Sequence, residues 1–152
     1  MYKRQKNAVR LIRRLDPTRL IDHASGWHDQ GVSDVKSLHV YFKPYRFRPD
    51  KKGRAVVLSE FGGYNLPVAG HTWNTKNFGY KGYQTPEALG EAIKTLYETQ
   101  IIPARRAGLA ADVYTQLSDV EDEVNGFVTY DRRVEKLPEA LMQAIARELK
   151  ED

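Results

Sequence analysis

The chain has 152 residues, of which 41% are hydrophobic and 29% charged, and this length is sufficient for one domain with a real core. No run of 18 or more apolar residues occurs, so the sequence predicts no membrane span and we expect a soluble protein. Cysteine is absent, which excludes disulfides and thiolate chemistry but is equally compatible with the cytoplasm, the periplasm and the outside of the cell. The localisation is therefore unknown from composition.

The net charge of +4 is concentrated at the start of the chain, where residues 1–20 contain seven Lys or Arg and a single acid, Asp16. Such a cluster could contact nucleic-acid phosphates, but no aromatic stacking platform accompanies it. A solvated helix face is the more common explanation of a charge cluster. We therefore expect no nucleic-acid binding.

The first half of the chain predicts one helix followed by three strands. Apolar residues at helical spacing predict a helix over 5–15, which Asp16-Pro17 ends. Three short β-rich runs bounded by Gly, Pro, Asp and Ser predict strands over 19–24, 37–42 and 55–61.

The second half predicts a long helix, a strand and a final helix. Thr85-Pro86 is typical of a helix start, and the pattern that follows ends at Ala107-Gly108. A fourth strand is predicted over 112–117 and an amphipathic helix over 137–149. This order favours a parallel α/β sheet in a single domain, either a small open sheet or part of a larger barrel.

Polar residues cluster where the predicted strands end. In a parallel α/β protein the ligand site lies at the carboxyl ends of the strands. Four groups occupy such positions: Asp22 to Trp27, His39 with Tyr41, Ser59 to Gly63, and Thr115-Gln116 leading into the acidic run 119–123.

Neither the acidic run nor the histidines predict a metal site. The run lacks the Asp-x-Asp-x-Asp-Gly spacing of a calcium loop, so a solvated loop is its default interpretation. His23, His39 and His71 are spaced unlike any known ligand set. We expect no metal and no cofactor.

Glu60 is the most informative of these polar residues. It follows the apolar run Val56-Val57-Leu58, so its carboxylate lies at the rim of a buried strand. From position alone, a cap or ion-pair partner and a catalytic carboxylate explain it equally well. Trp27 and Tyr41 could offer a stacking surface to a sugar ring, although core filling is the more frequent role of such residues.

Three segments are long enough to compare with known families: Asp16–Trp27 (DPTRLIDHASGW), Leu58–Tyr64 (LSEFGGY) and Tyr114–Gly126 (YTQLSDVEDEVNG). In this order they resemble strands 5, 7 and 8 of the catalytic domain of glycoside hydrolase family 2, the β-galactosidase and β-glucuronidase group. Leu38–Tyr41 (LHVY) would then be strand 6. The resemblance implies an α/β fold that is the C-terminal half of a (β/α)8 TIM barrel, strands 5 to 8, with the helices on the outer side.

The resemblance also implies a retaining hydrolase of O-glycosidic bonds, with Glu60 as the nucleophile. It implies a carbohydrate substrate that meets strand-end residues and a loop over 67–79: Trp27, His39, Tyr41, Thr115, Gln116 and Trp73. The sugar and the linkage are not identified by these motifs.

Retaining glycosidases need a second carboxyl group about 5 to 5.5 Å from the first. In the family this acid/base is a Glu that follows Asn at the end of strand 4, whereas this sequence has no Asn-Glu and no Glu before Glu60. We therefore expect strands 1 to 4 to be encoded upstream and the isolated chain to be inactive. The alternative is a non-catalytic carbohydrate-binding or structural α/β module.

A half-barrel would leave the outer edges of strands 5 and 8 unpaired and its inner face uncovered. We therefore expect two kinds of protein partner, the missing N-terminal half of the barrel and further copies of this chain in a homo-oligomer.

Overall fold

The computed structural model describes residues 2–23 and 26–150. Within these residues the helices are α1 (Tyr2–Leu15), α2 (Pro86–Leu96), α3 (Ile102–Arg106) and α4 (Glu139–Glu148), and a π-helical turn over Tyr97–Ile101 joins α2 to α3. The strands are β1 (Val35–Val40), β2 (Ala55–Gly62), β3 (Tyr64–Asn65), β4 (Lys81–Gly82) and β5 (Ala111–Thr115). None of the helices in this part of the chain has both the length and the apolar character needed to cross a bilayer.

The central element is a parallel sheet of three strands in the order β1-β2-β5, with β3 and β4 forming a separate short parallel pair. The prediction of a parallel α/β architecture is thus confirmed. The finer prediction, four strands forming half of a TIM barrel, is met only as far as this three-stranded sheet with its helices.

The register of β1 against β2 changes at the level of the site. Leu38 pairs with Leu58, but the next pair is His39 with Glu60, so Ser59 is an extra residue in β2. Such a bulge turns the side chains that follow it to the other face of the sheet. The Ser59 hydroxyl shares a hydrogen bond with that of Ser37 and donates to the Leu38 carbonyl oxygen at 3.3 Å.

The core lies between one face of the sheet and the helices. Leu58 and Phe61 of β2 are buried against Leu89 and Ile93 of α2, and Ile145 of α4 belongs to the same cluster. This face of the sheet packs against α2, α3 and α4.

The opposite face of the sheet is open near β5. Along this strand Tyr114 packs edge-on against Phe61, with ring centroids 5.6 Å apart. Because side chains alternate along a strand, Val113 points the other way, and 55% of it is exposed. An apolar residue in mid-strand is therefore uncovered on this face.

The predicted strand over 19–24 is wrong for its described part. Residues 19–23 form no strand. The backbone of Ile21 is hydrogen-bonded to Asp34 instead of to a neighbouring strand. The Ile21 amide donates to Asp34 Oδ2 at 2.8 Å, and the Asp34 amide donates to the Ile21 carbonyl at 3.0 Å. Ala24, the last residue of the predicted strand, and Ser25 lie outside the described residues.

The remaining predicted elements are confirmed, with shifted ends. The strand predicted over 37–42 is β1, which ends at Val40 shortly before Phe42, whose φ is 60°. The predicted cap of the long helix is present, since Thr85 Oγ1 accepts a hydrogen bond from the Ala88 amide at 3.2 Å. Gly108, with a φ of 115°, follows the end of α3 as predicted.

Candidate active site

Glu60 lies at the carboxyl end of β2 between two side chains from the end of β1. The Tyr41 hydroxyl donates a hydrogen bond to Glu60 Oε2 at 2.9 Å. Nδ1 of His39 lies 3.1 Å from the same oxygen, but in the described residues neither His39 ring nitrogen has hydrogen-bond geometry to a partner. The His39 side chain is buried while 40% of the Glu60 side chain is exposed. The carboxylate is thus fixed on one side and open on the other.

Tyr41 connects Glu60 to the third strand of the sheet. Burial raises the pKa of the Tyr41 hydroxyl, a contact with the Thr115 side chain partly offsets this, and the negative charge of Glu60 raises it again. The hydroxyl therefore keeps its proton at neutral pH and can donate it to the carboxylate. In this way the structure brings together four of the predicted site residues, His39, Tyr41, Glu60 and Thr115.

Gln116 follows Thr115 directly, but its side chain binds Asn125 and Glu123 instead of Glu60. Its Nε2 donates to Asn125 Oδ1 at 2.8 Å and to Glu123 Oε2 at 3.3 Å. Burial raises the pKa of Glu123, and the negative charge of Glu60 raises it further. A second carboxyl group therefore lies close enough to Glu60 to interact with it.

Aromatic rings form an exposed surface beside Glu60. Trp27 is 63% exposed. Its ring centroid lies 5.2 Å from that of His39, in an edge-on contact, and 6.3 Å from that of Tyr41, in a stacked contact. Tyr80 lies 5.4 Å from Tyr41, and Phe42 stacks with Tyr80 at 6.0 Å. Trp27 and Tyr41 thus lie side by side, and their role as a stacking surface for a sugar stays a prediction. Sequence reasoning missed Tyr80, which lies in a loop without periodicity, and assigned no site role to Phe42, the last residue of the predicted strand over 37–42.

Trp73 lies in a different contact. Its ring centroid is 5.1 Å from that of Tyr130. The same loop, residues 67–79, also carries His71, whose Nδ1 lies 2.8 Å from Asp131 Oδ2. Among the described contacts, none joins Trp73 to the group around Glu60.

The loop that carries Glu123 is held by a buried ion pair. Lys136 Nζ donates to Asp119 Oδ1 at 2.7 Å and to the Val124 carbonyl at 2.9 Å, and the Gly126 amide donates to the same Asp119 oxygen at 2.8 Å. The side chains of Lys136 and Asp119 are 0% and 1% exposed. The interpretation of residues 119–123 as a solvated loop is therefore wrong for Asp119.

Burial and pairing act in opposite directions on this ion pair. Burial raises the pKa of Asp119 and lowers that of Lys136, whereas the bond between them opposes both shifts. Removing two charges from water is costly, and only good geometry and additional hydrogen bonds compensate for it. The pair therefore ties residues 119 and 136 together, and with them the loop between.

In the part of the chain that the structure describes, no three His, Asp or Glu side chains are placed so as to hold a metal ion.

A scan of the sequence against protein-family models gives no match, and a search of curated proteins gives none either. The resemblance to glycoside hydrolase family 2 therefore rests on the three sequence segments alone and stays a prediction.

Replacing Lys136 with Met tests the anchoring of the loop. The change leaves the Asp119 carboxylate buried without its cation, so we expect the free energy of unfolding to fall by about 3–5 kcal/mol. Urea unfolding followed by circular dichroism measures it. In the control, Arg133→Met removes an exposed cation nearby and should change stability by less than about 0.5 kcal/mol. Equal effects of the two variants would contradict the assigned role.

Replacing Glu60 with Gln tests its proximity to Glu123. The substitution removes a negative charge that raises the Glu123 pKa, so this pKa should fall, while burial keeps it above the ordinary value of 4.5. Carbon-13 NMR titration of labelled glutamate carboxyl groups reports the change. Glu91→Gln on the exposed side of α2 serves as control and should leave the Glu123 titration as in the parent protein.

Proposed function

We propose that Glu60 is the nucleophile of a retaining glycosidase that hydrolyses O-glycosidic bonds, and that this chain is the carboxyl half of the (β/α)8 barrel of such an enzyme. The observation that supports this most directly is the placement of Glu60. It stands at the carboxyl end of a central strand, bound by Tyr41 on one side and open to solvent on the other. Ligand sites of parallel α/β proteins lie at this end of the sheet.

The chemistry follows from which oxygen of Glu60 is engaged. Because Oε2 accepts the Tyr41 hydrogen bond, Oε1 is the oxygen proposed to attack the anomeric carbon of the sugar. The bond between this carbon and the leaving oxygen breaks with its electron pair on oxygen, which takes a proton from a general acid. Water then displaces Glu60 from the glycosyl-enzyme and completes the hydrolysis.

The general acid is proposed to come from the complementary half of the barrel. Two uncovered apolar surfaces support such a partner. One is the open face of β5 around Val113, and the other is the stripe on α1 formed by Leu11, Ile12 and Leu15. Without that half, we propose that copies of the chain cover these surfaces for each other as a homo-oligomer.

The aromatic surface supports a second candidate function, non-catalytic binding of a carbohydrate. Trp27, Tyr41 and Tyr80 present ring faces near Glu60, and apolar sugar faces stack on aromatic rings without any catalytic group. This function needs neither the nucleophile nor the acid.

A mechanism-based reagent distinguishes the two functions. The leaving group of 2,4-dinitrophenyl 2-deoxy-2-fluoro-β-galactoside departs without protonation, so a nucleophile alone suffices for covalent reaction. We expect the 152-residue chain to gain the mass of one fluorogalactosyl group on Glu60, as located by peptide mass spectrometry, and Glu60→Gln to gain none. Glu98→Gln, an exposed change on the π-helical turn, should react like the parent. Sugar binding detected by NMR without an adduct would instead support the non-catalytic function.

Sedimentation analysis tests the proposed self-association. At high concentration the parent chain should sediment as a dimer or larger species. A charge placed on either apolar surface, as in Val113→Lys or Leu15→Glu, should shift it toward monomer, because burying an unpaired charge at an interface is costly. A strictly monomeric parent chain would contradict the proposal.

A further inference from the structure

Glu123 lies on a sharply defined turn. The Val120 amide donates to the Glu123 carbonyl at 3.0 Å, and the Glu123 amide donates to the Val120 carbonyl at 2.9 Å. Between them Glu121 has a φ of 48°, a backbone conformation that residues other than glycine rarely adopt. The backbone of Glu123 is thus set by reciprocal bonds.

Three further contacts fix where this turn lies relative to the sheet. On one side the Asp119–Lys136 pair holds the loop to the body, and on the other Gln116 holds the Glu123 side chain. Gln116 itself follows Thr115, which pairs with Gly62 at the end of β2, two residues after Glu60. Burying an ion pair costs free energy because both charges lose their water. A loop that only had to be solvated would not require such a pair.

Tyr80 is affected by the charges of both carboxyl groups. Its pKa is raised first by burial, then by the charge of Glu123 and also by that of Glu60. Its ring packs against Tyr41, whose hydroxyl binds Glu60. Tyr80 therefore packs on the residue that binds Glu60 and also interacts with the charge of Glu123.

The Glu123 carboxyl group retains capacity to bind a ligand. Among the described residues it forms no ion pair within 4.0 Å, and its side-chain partner is Gln116 at 3.3 Å. A carboxylate offers about four acceptor positions, so several remain for hydroxyl donors. A carboxyl group that only stabilises a loop normally has its acceptors bound by amides or cations.

We propose, resting on the proposed function of Glu60, that Glu123 determines which sugars the site accepts: it binds hydroxyl groups of neutral glycosides and excludes uronic acids. A hydroxyl group donates to the free acceptors of Glu123. A uronate would bring a third carboxylate to a site that already holds Glu60 and Glu123, and like charges at short distance repel strongly where water is partly excluded. The proposed substrate class is therefore neutral glycosides rather than uronides.

Two reagents that differ only at C6 test this proposal on the full chain. They are 2,4-dinitrophenyl 2-deoxy-2-fluoro-β-galactoside and the corresponding galacturonide, and the rate of adduct formation on Glu60 is followed by mass spectrometry. The parent chain should react at least about tenfold faster with the galactoside. In Glu123→Gln the galactoside should react more slowly and the galacturonide faster, so the ratio of rates falls toward one.

Glu121→Gln is the matched control, since it removes the same charge from an exposed position on the same turn and should preserve the parent ratio. Glu123→Asp retains the charge, so it should still disfavour the galacturonide even if both rates fall. Urea unfolding of each variant verifies that it is folded.

A parent chain that reacts equally with both reagents, or a ratio unchanged in Glu123→Gln, overturns the role of Glu123 while Glu60 stands as the nucleophile. Absence of any adduct with either reagent overturns the proposed function as well.

Discussion

The extra residue in β2 decides which side chains enter the core and which enter the site. In a strand of strict alternation, Leu58 and Glu60 would point to the same face, and the carboxylate would lie among the apolar residues beneath α2. The bulge at Ser59 inverts this, so that Phe61 follows Leu58 into the core and Glu60 is paired with His39 at the open rim. Burying a carboxylate without a cation would destabilise the sheet, whereas this register satisfies the core and exposes the polar group.

A buried ion pair holds the loop that follows β5. The Asp119–Lys136 pair is removed from solvent, and its free energy depends on hydrogen bonds from the Gly126 amide and to the Val124 carbonyl. Gly126 is required there because a Cβ atom would lie 2.3 Å from the Asp119 amide nitrogen. The loop is thus anchored at Asp119, four residues before Glu123.

The exposed part of β5 and the candidate site belong to the same sheet. Among the described residues α2, α3 and α4 pack against one face of the sheet, while Val113 on the other face and the stripe on α1 are exposed. The carboxyl ends of the strands, where Glu60 and the aromatic rings converge, lie at the rim of the same sheet. A partner that covered the open face would therefore border the site and could contribute groups to it.

The sequence by itself determined what depends on neighbours along the chain. The helix that begins after Thr85 and ends before Gly108 is specified by a cap, a proline and a glycine, and β2 by a short apolar run. The position of Glu60 at a strand end followed from the same local pattern. These features were predictable because each is encoded within a few residues.

Only the tertiary structure decided which distant residues meet. Residues 19–23 have the composition of a strand, but Asp34, thirteen positions after Ile21, binds their backbone instead. Nothing in the acidic run distinguishes Asp119, which is buried against Lys136 seventeen residues away, from Glu123, which approaches Glu60. Burial, and with it the pKa of a carboxyl group, is set by what packs around it, and those neighbours are distant in the chain.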